Sequence, residues 1–189
     1  MNRLPRPSHP RRLVAVGAVL AAAAAGASGC APEAEPEPTP SAGFSSEEEA
    51  LEAARATYEG YVEATNGLKF EDPSTSEAVF AWLEGDALSD EREIHSTAYA
   101  KNYKRTGASD VTLVSLASEA DTVPLLINAC VDNSQVEVVD SSGVSILASE
   151  RLLMQPVSVS LVPADTTSTK LKITSMSARE GDPLCDEDE

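Results

Sequence analysis

Histidine, aromatic residues and cysteine are all scarce in this chain of 189 residues. With only His9 and His95, the chain has little material for a metal site or a catalytic triad built on histidine. Aromatic side chains make up 4% of the chain, so a hydrophobic core must be mostly aliphatic. The motifs of phosphate-binding loops, nucleophile elbows and zinc peptidases are also missing. We therefore predict a protein that is not an enzyme and that binds no metal and no cofactor.

Basic residues are few as well. Acidic residues outnumber basic ones by 31 to 14, which gives a formal net charge of −17. Four of the bases and none of the acids precede residue 30, so the remainder carries 31 acids against 10 bases. A surface this acidic repels nucleic-acid phosphates and anionic lipid headgroups. We therefore expect no nucleic-acid partner.

The first 29 residues have the composition of an export signal. Residues 1–12 contain four arginines, and residues 13–25 are apolar without interruption. A basic start, a short apolar run and small residues after it are typical of a secretory signal peptide. A transmembrane anchor is the alternative, but the run is shorter than the roughly 20 residues that span a bilayer.

The small residues end at a cysteine, in the run Ala27-Ser28-Gly29-Cys30. This run resembles the lipobox of bacterial lipoproteins. The resemblance implies that residues 1–29 are removed and that Cys30 becomes a diacylated N-terminus, and two acyl chains hold a protein firmly on a membrane. The protein would then be lipid-anchored at the cell membrane, on the extracytoplasmic face. The pair Arg11-Arg12 leaves open whether export is Sec or twin-arginine.

Residues 30–44 are expected to form a linker, because residues 31–40 hold four prolines and three glutamates. Proline blocks regular structure and the glutamates repel one another, which indicates an extended and solvated spacer. The folded domain is then expected over residues 45–185, and residues 186–189 form an acidic tail.

The domain begins with the pattern of amphipathic helices. Ser46 followed by Glu49 fits a capping box, and apolar residues at three- and four-residue spacing predict a helix over residues 46–65. Two more helices are predicted, one from Pro73 and one over residues 87–103. The second carries Val79, Phe80, Trp82 and Leu83, and the third is expected to turn inward Leu88, Ile94, Ala98 and Tyr99.

After Gly107 the apolar period changes to two, which predicts strands. The predicted strands cover residues 111–116, 122–131, 135–139, 155–162 and 170–178. Helices followed by antiparallel strands predict an α+β fold in which a curved sheet packs on the helices.

The order of elements has a known counterpart. A long helix, two shorter ones and a meander of strands resemble the NTF2-like (cystatin-like) cone fold. The runs Asn128–Asp132 and Gly181–Cys185, with the turn at residues 140–143 between them, are similar to small secreted lipoproteins of actinobacteria. The resemblance implies a cone over residues 46–185 and supplies no catalytic residues.

Two cysteines remain beyond Cys30. In an exported chain thiols oxidise, so we predict a disulfide between Cys130 and Cys185 that ties a central strand to the C-terminal segment. Two unrelated thiols are the alternative.

The few aromatic residues indicate a pocket. Those of the predicted helices would line the mouth of the cone, and Asp132 on a strand could add an acid. The candidate pocket residues are Tyr58, Tyr61, Trp82, Tyr99 and Asp132, with Phe80 and Tyr103 nearby in the sequence. The same aromatics could instead be core, and Asp132 could face solvent at a strand end. His95 is expected to be a lone surface histidine.

These expectations combine into a non-catalytic binding or assembly module of the cell envelope, held by lipid on Cys30 and acting on a protein partner or a small ligand. The alternative is an NTF2-like domain that binds a small molecule or acts as an enzyme through Asp132. An exposed apolar patch would favour the first, and convergent polar groups beside an apolar cavity would favour the second.

Overall fold

A computed structural model describes residues 43–181 and residue 185. Over these residues the chain forms an α+β domain, as predicted, with helices before strands. The helices are α1 (Glu47–Asn66), a 3-10 turn (Pro73–Thr75), α2 (Ser76–Phe80) and α3 (Gly85–Ala100). The strands are β1 (Lys104–Thr106), β2 (Asp110–Leu116), β3 (Leu125–Asp132), β4 (Glu137–Val139), β5 (Met154–Pro163) and β6 (Leu171–Ala178).

Several of the predictions lie outside the described residues. They are the signal peptide at residues 1–29, the lipidated Cys30, the linker as far as residue 42 and the acidic tail at residues 186–189. Among the described residues, no helix combines the length and the apolar character that a bilayer crossing needs.

Helix α1 follows its sequence pattern closely. The Ser46 side chain accepts a hydrogen bond from the Glu49 backbone N–H at 3.2 Å. The Glu49 carboxylate in turn accepts one from the Ser45 backbone N–H at 2.8 Å, so the cap closes one residue earlier than a standard capping box. The buried face of the helix consists of Ala50, Ala54, Thr57, Tyr58, Tyr61 and Val62.

The main sheet has four antiparallel strands in the order β2-β3-β5-β6. Helix α1 packs against β2 and β6, and α3 packs against β6. Alternate residues of β3 face the helices and are buried, from Leu125 through Ile127 and Ala129 to Val131. They form one core with the apolar residues of α1 and with Val159, Leu161, Leu171 and Ile173 of the neighbouring strands.

A second, two-stranded sheet pairs β1 with β4. The sequence did not predict β1, because three residues are too few to display an alternating pattern. Gly107 follows β1 with a φ of +77°, and a Cβ there would lie 1.8 Å from the Gln135 carbonyl oxygen. Only glycine therefore allows the turn out of β1 to pass this close to the chain leading into β4.

The segment after α2 differs from its predicted form. Helix α2 ends at Phe80, and Trp82 and Leu83 lie beyond it. The Trp82 carbonyl accepts a hydrogen bond from the Ile173 N–H at 2.9 Å, so this segment runs beside β6. The Trp82 ring covers Gly60 of α1, where a Cβ would meet the ring at 2.5 Å. Trp82 thus packs on α1 and is not among the lining residues of the cavities described below.

The predicted disulfide between Cys130 and Cys185 is confirmed. Because Ala129 and Val131 point to the helices, Cys130 points to the other face of the sheet. Residue 185 is therefore fixed to the face of the sheet that the helices leave uncovered. Loop-closure entropy for a separation of 55 residues corresponds to a stabilisation of about 4 kcal/mol.

Candidate functional site

The structure brings together only two of the five predicted pocket residues, Tyr58 and Tyr61. Their rings lie 6.0 Å apart between α1 and the sheet, where they line a cavity of about 330 Å³. Both are nearly fully buried, and burial raises the pKa of each phenol. The two tyrosines are thus core residues as well as cavity walls.

Asp132 lies outside this cavity, which is lined by its neighbours Val131 and Asn133. Side chains alternate along a strand, so Asp132 points to the same face as Cys130, away from the helices. Its carboxylate accepts a hydrogen bond from the Ser134 backbone N–H at 2.7 Å, and that bond lowers the pKa of Asp132. The acid expected in the pocket is instead the first residue of a turn.

Helix α3 faces the core partly as predicted, since Ala98 is buried and Leu88 packs against the core. Ile94 and Tyr99, expected to point inward, are 53% and 54% exposed. The residues that turn inward are Ala87, His95 and Ala98. His95, expected at the surface, is buried at 7% exposure.

The buried side of α3 carries a chain of polar side chains from three helices. The Tyr61 hydroxyl donates to one carboxylate oxygen of Glu91 at 2.6 Å. The other oxygen of Glu91 lies 3.0 Å from His95 Nε2, one helical turn away. His95 Nδ1 lies 3.0 Å from the hydroxyl of Ser76, at the start of α2. We call Tyr61, Glu91, His95 and Ser76 the polar chain.

The charge on Glu91 fixes the direction of the two hydrogen bonds that it makes. Burial alone would raise the pKa of Glu91, but the hydrogen bonds from His95 and Tyr61 outweigh it and hold that pKa below its ordinary value. An ionised carboxylate can only accept, so the proton between the two residues belongs to His95 Nε2. In the neutral imidazole Nδ1 is then an acceptor, and it receives the Ser76 O–H.

A cleft of about 320 Å³ opens beside the end of the polar chain, with Ser76 and His95 among its lining residues. Phe80 stacks on the His95 ring at 5.1 Å, and Phe70 meets that ring edge-on at 5.9 Å. The guanidinium of Arg92 lies 5.5 Å from the centre of the Phe80 ring. The cleft therefore combines apolar walls with the cation of Arg92, the carboxylate of Glu77 and the hydroxyl of Ser76.

A larger depression, which we call the α3 groove, shares Phe70 with the cleft and measures about 610 Å³. Its apolar lining is Phe70, Ile94, Ala98, Tyr103, Val138 and Ile146, and its polar lining is Asp90, Glu93 and Thr97. Ile94 is 53% exposed and Ile146 is 43% exposed. Tyr103 belongs to this groove, where Lys101 Nζ stands 5.6 Å from its ring.

Little in the sequence pointed to the polar chain. The signal available was the spacing of four residues between Glu91 and His95, which on any helix places two side chains together. Nothing indicated that this pair would face inward, because the apolar residues Ile94 and Tyr99 on the same helix suggested the opposite orientation. Ser76 and Tyr61 are joined to the pair only by the packing of three helices.

Comparison with known proteins gives no relative: no family model, no curated protein and no solved structure matches the chain. Across residues 43–181 and residue 185, no cluster of three or more histidine, cysteine, aspartate or glutamate residues could hold a metal ion. The two features left to explain are the polar chain with its cleft and the exposed α3 groove.

Proposed function

We propose that the chain is a lipid-anchored, extracytoplasmic binding protein of the cell envelope that holds a partner protein in the α3 groove. The observation that carries this proposal is the exposure of large aliphatic side chains along the groove, above all Ile94 and Ile146. A folded domain ordinarily buries such residues, and contiguous apolar surface with a polar border is typical of protein-binding sites.

The charges around the groove indicate the chemistry of the partner. Asp90 and Glu93 line the groove beside the aliphatic residues, and the chain as a whole carries a net charge of −17. Complementary charge steers association and disfavours wrong partners. We therefore expect a segment that presents apolar side chains flanked by lysine or arginine.

Two further observations support the location. The run Ala27-Ser28-Gly29-Cys30 resembles a lipobox, and the bond between Cys130 and Cys185 suits an oxidising compartment outside the cytoplasm. We expect the proline-rich linker after Cys30 to extend by ~3.1 Å per residue, which would place the groove a few nanometres above the bilayer. In finer detail we propose that the three helices and the curved sheet form an NTF2-like cone.

The anchor is tested by fractionating bacteria that express the full chain with Cys30→Ala, against Ser28→Ala as a control that keeps a small side chain. The proposal expects wild type and the control in the membrane fraction. The Cys30→Ala protein should be released or should stay at precursor mass. An unchanged membrane fraction for Cys30→Ala would contradict the anchor.

The groove is tested by photocrosslinking on intact cells. A photoreactive amino acid at Thr97, which lines the groove, should give an adduct with a protein of different mass, whereas one at the exposed Glu52 on α1 should not. Ile146→Asp in the groove should abolish the adduct. Leu152→Asp, at an exposed aliphatic residue that does not line the groove, should leave it unchanged.

Three results would contradict the groove proposal. One is the absence of any adduct at Thr97. A second is an adduct of twice the mass of the chain, because it would identify the occupant as a second copy. The third is an adduct that survives Ile146→Asp.

A further inference from the structure

We propose that Ser76 is a nucleophile for acyl transfer, with His95 as its general base and Glu91 as the residue that positions His95. This inference is independent of the α3 groove, since Ser76 does not line it. It adds a chemical activity to the proposed binding protein, in a cleft that shares Phe70 with the groove.

The geometry has the parts that an activated serine needs. The hydroxyl of Ser76 and the carboxylate of Glu91 bond to the two nitrogens of His95, each at 3.0 Å. Such an arrangement is recognised by the roles of its groups and not by their order in the sequence. Here the Nδ1 atom faces the serine and the Nε2 atom faces the carboxylate.

The polar chain orients the groups that take part in the reaction. The ionised Glu91 keeps the proton on Nε2, which leaves Nδ1 free to accept the hydroxyl proton of Ser76. The second oxygen of Glu91 is fixed by the Tyr61 hydroxyl, so the carboxylate cannot turn away from His95. Stacking against Phe80 holds the plane of the imidazole ring.

The cleft provides access and indicates the class of substrate. Ser76 and His95 both line it, beside Phe70, Phe80 and Tyr99. These aromatic walls suit an apolar acyl group, and a volume of about 320 Å³ restricts that group to a small one. Arg92 and Glu77 also line the cleft, and of these two charges that of Arg92 favours the negative charge that develops on a carbonyl oxygen.

The reaction that fits this arrangement is the hydrolysis of a carboxylic ester. Ser76 Oγ bonds to the carbonyl carbon while its proton passes to His95 Nδ1. The ester C–O bond then breaks, and the departing alkoxide takes the proton from Nδ1 and leaves as an alcohol. Water attacks the acyl-serine next and gives one proton to Nδ1. The carboxylic acid is released as that proton returns to Ser76 Oγ.

The test uses a fluorophosphonate, which phosphonylates an activated serine with loss of fluoride, on the purified, oxidised chain. Mass mapping should find one adduct per chain, on Ser76. Ser76→Ala should remove the adduct. Ser141→Ala, at an exposed serine in the turn at residues 140–143, should label at the rate of wild type.

The positioning role of Glu91 is tested by the labelling rate of two variants. Glu91→Gln keeps the size of the side chain but removes its charge, and the rate should fall by about 100-fold or more. Tyr61→Phe removes the other hydrogen bond to the same carboxylate and should change the rate by less than about tenfold, because the charge on His95's partner remains. If the cluster were merely structural, Glu91→Gln and Tyr61→Phe would change the labelling rate by similar factors.

Two results would overturn the inference. One is wild-type protein that has an intact disulfide and a cooperative melting transition and yet yields no adduct on Ser76. The other is an equal labelling rate for wild type and Glu91→Gln. Neither result bears on Thr97 crosslinking, so failure here is distinguishable from failure of the groove proposal.

Discussion

Helices α1 and α3 differ in the kinds of side chain that they bury and expose. Helix α1 buries Tyr58 and Val62 and exposes its charged residues, as a helix on a core should. Helix α3 buries His95 and most of Glu91, while Ile94 and Tyr99 stand in solvent. The first arrangement stabilises the fold. The arrangement on α3 lowers stability, and we interpret it as evidence that α3 takes part in binding and in chemistry.

The largest expected effect is on the α1 side of the comparison. Tyr58→Ala should lower the free energy of unfolding by about 3 kcal/mol, because it removes a buried ring from the core. Chemical denaturation measures this loss. Tyr58→Phe is the matched control and should lose much less. A loss below about 1 kcal/mol for Tyr58→Ala would contradict the role of α1 as the core helix.

Removing one member of the polar chain on α3 should also lower the free energy of unfolding. His95→Ala leaves one oxygen of the largely buried Glu91 carboxylate without a hydrogen-bond donor, while Tyr61 still donates to the other, and we expect a loss of about 2 kcal/mol in the same denaturation experiment. The double variant with Glu91→Gln should recover part of that loss, since an amide is cheaper to bury than a charge. Equal stabilities of the single and double variants would argue against an ionised Glu91.

The pH dependence of stability should differ between the two helices. Hydrogen bonds from His95 and Tyr61 lower the pKa of Glu91 in the folded chain below the ordinary value of 4.5. Its contribution is therefore fully present above the unfolded pKa and is lost as the pH falls through the folded pKa. Between about pH 5 and pH 3, wild type should lose more stability than Glu91→Gln. Tyr58→Phe on α1 should follow wild type.

The smallest effect is expected at the exposed face of α3. Ile94→Ser should change the free energy of unfolding by less than about 0.5 kcal/mol, because that side chain is already half in solvent. The same variant should weaken crosslinking from Thr97. A large loss of stability would mean that Ile94 packs in the core after all.

The same comparison explains how much of the fold could be predicted from the sequence. Helix α1, the order of helices before strands and the antiparallel hairpin of β5 and β6 follow from period and turn chemistry, which are local. The disulfide followed from the small number of cysteines and the expected compartment. Helix α1 and the strands also follow the rule that apolar residues turn inward.

The candidate site could not be predicted because helix α3 breaks that rule, burying polar side chains and exposing apolar ones. Ile94 and Tyr99 suggested the wrong inward face for α3, and His95 was assigned to the surface. The orientation of α3 is set by contacts with β6 and with the other helices, which have no local signature. Trp82 likewise lies beyond the end of its predicted helix. The hydrogen bond from the Ile173 N–H to the Trp82 carbonyl competes with helical hydrogen bonds after Phe80.

The central claim is that the polar chain, which links α3 to α1 and α2, serves chemistry and not stability. The most direct measurement is the unfolding free energy of a variant in which all four members become apolar, Tyr61→Phe, Ser76→Ala, Glu91→Met and His95→Phe. No buried polar group is then left unpaired, so we predict a stability equal to or greater than that of wild type. A loss of more than about 2 kcal/mol would show that the polar chain holds the fold together, and would contradict the claim.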